Sequence, residues 1–288
     1  MLAPTFARSP PPPPDGALRN ISAGLPRIGQ PGLFFCATKA RRPGMPRAMF
    51  RLERNDEYAR LTLDRPEARN AIPAAGWAGL SDKIAVVEAS DVRLLVVTGA
   101  GETFCAGADL GDFAAMRDDA AAIARFRQEM RAALDRIRAL PMPTLALIEG
   151  HCFGAGVALA MACDIRMARL ASRYAITPAR LGIAFPQEDV HRLVALVGPG
   201  QAARLLFTGE TIGGDEAKHI GLVDYHCHAE SEVIDAIVAN SAESLVALKQ
   251  GIKRAGEGVR SDPEQDARFD ALVGGGELAR RLEALGRK

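Results

Sequence analysis

The chain has 288 residues, enough for one large domain or two small ones, and its 48% apolar and 25% charged residues are the make-up of a globular protein with a sizeable core. A formal net charge of +1 provides no long-range field to draw nucleic acid or a membrane surface, and no apolar run approaches the ~18 residues of a spanning helix. Five cysteines (Cys36, Cys105, Cys152, Cys163, Cys227) are scattered without a CxxC pair, which argues against a disulfide framework and a zinc site and suits a reducing, cytoplasmic setting.

Residues 1–48 stand apart. They hold the run Pro10 to Pro14, six arginines, one lysine, and a single acid, Asp15. Without apolar periodicity such a stretch is expected to stay disordered. It lacks the apolar core of a secretory signal, and its prolines spoil the amphipathic helix of an organelle transit peptide. Met49, followed at once by strand-like sequence, offers a simpler reading: the extension is a start placed too far upstream.

From Met49 the pattern turns regular. Residues 59–63 alternate as a strand, which Asp64-Arg65-Pro66 breaks. A helix is expected from about Pro73 to Ala89, and the apolar run Leu94 to Thr98 predicts a buried strand. Ile123, Phe126, Met130, Leu134 and Ile137 recur at helical spacing and end before Pro141. Thr144 to Ile148 predicts a second buried strand, Ala155 to Cys163 a buried helix, and Asp164 to Ala168 another strand. Beyond Gly200 helices dominate, with a short strand around Leu222 to Tyr225. Strands alternating with helices imply an α/β fold, with a core over 49–230 and a helical region over 231–288.

Two strand-to-loop junctions invite chemistry. Thr103 to Leu110 follows the strand at 94–98, and Glu149 to Gly156 follows the strand at 144–148. Small residues allow a ligand close to the backbone. The second junction opens a helix whose first N–H groups lack partners and sit at the positive end of the dipole. Two such donors suit an oxyanion hole for a carbonyl that gains charge. The same glycines would also serve tight turns and close helix packing alone.

The order of the segments then points to a family. Leu63-Asp64-Arg65-Pro66-Glu67-Ala68-Arg69-Asn70-Ala71-Ile72 resembles the LNRPxxxNAL signature of the crotonase (enoyl-CoA hydratase/isomerase) superfamily. Phe104 to Leu110 resembles its FxAGADL motif, and residues 149–165, ending in Cys163-Asp164-Ile165, resemble NGxxxGGGxxLxxxCDI. Leu206-Phe207-Thr208-Gly209 and Ala217 to Val223 continue the match in register. The resemblance implies a spiral of ββα units with a helical C-terminal region, and homotrimers or hexamers. It implies an acyl-CoA thioester as substrate, with no cofactor beyond that coenzyme A. It places oxyanion donors at Ala108 and Ala155, and the CoA portion along Glu67, Ala68, Arg69, Ala106, Asp109 and Leu110. Arg69 suits a CoA phosphate, or is simply a solvated surface arginine.

The departures are as informative. The positions of the two hydratase glutamates are Ala158 and Pro178, and neither side chain can activate water or deliver a proton. Glu188 and Asp189 are candidate replacements, since a carboxyl desolvated beside an acyl chain could shuttle a proton between carbons. The alternative is that the pair caps the helix starting near 189. His151 and His191 read as packing or surface residues, and Cys105 and Cys152 have no evident base beside them. The expectation is therefore an isomerase-like enzyme acting through a thioester enolate. The alternatives are an acyl-CoA decarboxylase, which the Thr177-Pro178…Leu181-Gly182 motif resembles, or a protein that binds CoA thioesters without turnover.

Overall fold

A computed structural model describes residues 48–227 and 229–286, which belong to one compact unit. The expectation of a disordered or mis-started extension over 1–48 falls, apart from Ala48, outside the described residues. Strand β1 (Phe50–Arg54) pairs antiparallel with β2 (Tyr58–Leu63), and helix α1 (Gly76–Glu88) follows. Three ββα units come next. They are β3 (Leu94–Gly99) and β4 (Thr103–Cys105) with α2 (Leu110–Met116) and α3 (Ala120–Ala139); β5 (Thr144–Ile148) and β6 (His151–Phe153) with α4 (Ala155–Ala162); and β7 (Ile165–Ala168) and β8 (Arg173–Ala175) with α5 (Gln187–Thr208). Helix α5 breaks at Gly198-Pro199, where Gly198 has φ 75° and the proline removes a backbone donor.

Strand β9 (Thr211–Gly213), α6 (Gly214–His219) and β10 (Tyr225–His226) lead into the helices α7 (Glu230–Val238), α8 (Ala242–Gly256), α9 (Pro263–Val273) and α10 (Gly276–Gly286). The sheets have the orders β1-β2-β3-β5-β7-β10 and β4-β6-β8-β9. Successive strands of each ββα unit thus fall in different sheets, and the chain winds as the spiral expected.

The first sheet is the scaffold. Side chains of a strand alternate between faces, so Leu95 and Val97 join the main core under α1, α3 and α4, while Leu94 and Val96 pack with Ile234 and Val238 of α7. Burial on both faces explains why β3 and β5 read as unbroken apolar runs. Helix α4 is apolar all round and almost wholly buried, as a helix inside the core should be. Two arrivals differ from expectation. The strand foreseen at Leu222 to Tyr225 forms at Tyr225–His226, because Leu222 and Val223 close a turn whose N–H groups both donate to Ala217 O. The strands of the second sheet are not legible in the residues themselves and enter the expectation only through the ββα units that the resemblance implies.

Candidate active site

The second sheet builds the site. Strands β4, β6 and β8 run parallel, with Thr103 beside His151 and Phe153 beside Ala175. Their C-terminal ends therefore lie side by side and release three loops at one edge. Those loops bring Ala106 to Ala108, Gly154-Ala155 and Thr177-Pro178 to a common cavity of about 620 Å³. Pockets at strand C-termini arise in this way in many α/β folds.

Each loop is fixed by its backbone. Ile72 N donates to Gly107 O at 2.9 Å and Asp109 N donates to Ile72 O at 3.0 Å. This bridge spends the groups on either side of Ala108 and leaves the Ala108 N–H without a backbone acceptor among the described residues. In the second loop Gly154 N donates to Ala175 O at 2.9 Å, and Ala155 is the first residue of α4. Its N–H is therefore one of the unpaired donors of a helix N-terminus. Ala155 has no left-handed φ, so alanine presents this N–H as well as glycine would. Gly107, at φ 105°, permits the approach of the two loops: a Cβ there would stand 2.9 Å from Phe153 O and 3.3 Å from the Ala155 nitrogen.

The loop preceding α1 is clamped by Asn70, which is buried and left-handed (φ 54°). Its Nδ2 donates to Ala100 O at 2.9 Å and to Thr103 O at 2.6 Å, while its Oδ1 accepts from Arg65 N at 3.0 Å. Arg69 beside it (φ 52°) is exposed, and its carbonyl accepts from Ala106 N at 3.0 Å.

Of the residues singled out in the sequence, Ala106, Ala108, Leu110 and Ala155 line the cavity. Glu67, Ala68, Arg69 and Asp109 do not line it. Glu67 and Ala68 sit in the short 3-10 turn Pro66–Ala68. Asp109 caps α2, accepting from Gly111 N at 3.1 Å, and pairs with Arg65 at 3.5 Å. The positions that the resemblance matches to the hydratase glutamates diverge: Ala158 is buried inside α4, and Pro178 forms part of the cavity wall.

The two candidate acids are placed away from that wall. Glu188 is exposed on the first turn of α5. Asp189 is fully buried, with its Oδ1 held by Arg131 Nη1 at 3.1 Å and Arg192 Nη1 at 3.4 Å. Asp135 completes the square, 3.0 Å from Arg131 and 2.7 Å from Arg192. Burial lifts the Asp189 carboxyl above its ordinary range, and the two guanidiniums oppose that rise. Burial pushes the Cys105 thiol up to about 12 and Cys152 well above the usual thiol value, which leaves neither as a thiolate.

The opposite wall comes from α2 and α3. Phe113 and Phe126 meet edge to face at 5.2 Å, with Ile123 and Met130 beside them. The stripe read as a core face thus changes use along α3: its first half lines the cavity, while Ala133, Leu134 and Ile137 enter the core. Arg117 and Arg127, overlooked in the sequence among many arginines, are the ionisable side chains among the described lining residues.

The comparisons agree with this geometry. The sequence model of the enoyl-CoA hydratase/isomerase family matches residues 53–269. The chain belongs to that family. It is 34% identical over 214 residues to YngF of Bacillus subtilis, covering 73% of this chain and 82% of that protein. It is 32% identical over 228 residues to a short-chain-enoyl-CoA hydratase of Clostridium acetobutylicum, covering 76% of this chain and 85% of that protein. The solved structure of an enoyl-CoA hydratase from Thermoplasma volcanium superposes with a TM-score of 0.74 at 31% identity, covering 82% of this chain and 96% of that one. Within the family, this chain is an acyl-CoA-handling enzyme of α/β crotonase architecture. No helix among its described residues is long and apolar enough to cross a membrane.

Proposed function

We propose that this family member holds an acyl-CoA thioester with its carbonyl oxygen between the N–H groups of Ala108 and Ala155, and that the substrate itself supplies the electrons for the enolate by losing carbon dioxide. The observation that carries this reading is the cavity's chemical make-up. Two backbone donors without a backbone acceptor among the described residues line it, and the ionisable side chains among its described lining residues are arginines. Hydration needs a positioned base to activate water, and double-bond migration needs one to carry a proton from carbon to carbon. The placement of Glu188 in solvent and of Asp189 between two arginines argues against either as that base.

Decarboxylation balances without one. In a 2-carboxyacyl thioester the bond between the α-carbon and the carboxylate breaks. Its electron pair moves onto the α-carbon and the thioester oxygen, carbon dioxide departs, and water protonates the α-carbon. The two backbone N–H groups bond more strongly to the enolate oxygen than to the neutral carbonyl, and that difference lowers the barrier. The apolar α2–α3 wall favours loss of charge from the carboxylate by excluding water. Pro178, in the segment that resembles acyl-CoA decarboxylases, packs against this space at the position the resemblance matches to a hydratase carboxylate.

Malonyl-CoA and methylmalonyl-CoA incubated with the full chain in heavy water should release carbon dioxide and leave one deuterium on the α-carbon. Hydration of crotonyl-CoA, read from loss of the enoyl absorbance, should be at least 100-fold slower. Rapid hydration without carbon dioxide release would overturn the reading.

A further inference from the structure

The α2–α3 wall is apolar except for two guanidiniums. Arg127 lies on α3, four residues after Ile123 and three before Met130, and so shares their face. Among the described residues it has neither an ion pair nor a hydrogen bond. Arg117, just after α2, pairs at 3.0 Å with Asp118, and both side chains are largely exposed, so this pair holds the guanidinium weakly. The acids of the same helices point elsewhere: Asp112, Asp119 and Glu129 line a separate cleft with Arg125. The charge facing the cavity is therefore of one sign, next to a surface made to receive an acyl chain.

We propose that the acyl group carries a second anionic centre, a carboxylate remote from the thioester, which Arg127 receives with Arg117 in support. This rests on the acyl-CoA reading above. A planar guanidinium fork matches a carboxylate bidentately. The carboxylate it receives is one that stays on the substrate. Pairing the departing carboxylate would stabilise the ground state over the neutral carbon dioxide and so oppose its loss. The same fork suits the phosphates of coenzyme A, and the experiment separates the two sources.

Calorimetric titration of the full chain with glutaryl-CoA, valeryl-CoA and free coenzyme A makes the test independent of turnover. The remote carboxylate of glutaryl-CoA cannot leave through an α-enolate. Wild type should bind glutaryl-CoA more tightly than valeryl-CoA. Arg127→Met should weaken glutaryl-CoA roughly 10- to 100-fold and leave the other two unchanged, with Arg127→Lys between them. Because Arg127 is exposed, the thermal unfolding of both variants should match wild type. Equal weakening of all three ligands would assign Arg127 to the phosphates and overturn the proposal, as would unchanged binding of all three. Failure of wild type to bind any of them would instead overturn the acyl-CoA reading beneath it.

Discussion

Two places in this chain offer polar groups for chemistry, and they are built in opposite ways. Beyond the ends of β4 and β6 the groups are backbone N–H donors in loops held by ladder bonds, without backbone partners among the described residues. At the first turn of α5 they are carboxylates, and the buried one is absorbed into a square of Arg131, Asp135, Asp189 and Arg192 that ties α3 to α5. The difference teaches that an acid near a cavity is not thereby an acid in it. The two guanidiniums neutralise Asp189 in place, so its removal should be felt in stability, whereas disturbance of the strand-end loops should be felt in turnover.

The largest expected effect sharpens the stability half of that contrast. Asp189→Ala removes the oxygen that Arg131 and Arg192 share, leaves the two guanidiniums facing one another without that acceptor and should cost about 3 kcal/mol, read from urea unfolding. Turnover per folded molecule should change little. A pH series adds a sign. Burial makes the folded state hold the Asp189 proton more tightly than the unfolded chain does. Its contribution to stability therefore falls as pH rises from the ordinary carboxylate range to its raised value, and is flat above. The alanine variant should lack that component.

Next in size is Gly107→Ala. Its Cβ would press on Phe153 O from a left-handed backbone and drive apart the two loops that carry Ala108 and Ala155. Loss of one donor's geometry should lower kcat about 100-fold, with the unfolding midpoint the control for a general collapse. Smaller still, Glu188→Gln should leave kcat within about twofold and stability within about 0.5 kcal/mol, as surface changes do. A large kcat loss there would break the comparison and return α5 to the chemistry. The least effect is expected from thiol chemistry: with Cys105 pushed up to about 12 by burial, iodoacetamide at pH 8 should leave Cys105 and Cys152 unmodified in the folded protein, as mass spectrometry would report.

Legibility in the sequence divided along the same line. The first sheet was readable because β3 and β5 bury both faces and so carry unbroken four-residue apolar runs, Leu94 to Val97 and Leu145 to Ile148. Helices α3 and α4 were readable from period and from unbroken apolarity. The second sheet was not, because β4, β6, β8 and β9 are three residues each, too short for alternation to register, and β4 and β6 lie within the junctions taken for loops. Ala108 and Ala155 were picked out as candidate oxyanion donors only because family-like segments flank them: a backbone N–H leaves no side-chain signature. Arg127 was hidden for the opposite reason, since which face of α3 its side chain shares matters only once α2 packs against it.

The central claim is that Ala108 and Ala155 polarise a thioester carbonyl through their backbone. Its most direct test is isotope-edited infrared spectroscopy of valeryl-CoA labelled with carbon-13 at the thioester carbonyl, bound to wild type and to Gly107→Ala. Two donors withdraw electron density from the carbonyl, so its stretch should move to lower frequency on binding to wild type and return towards the free value in the variant. A bound ligand whose carbonyl stretch matches that in water for both proteins would contradict the account.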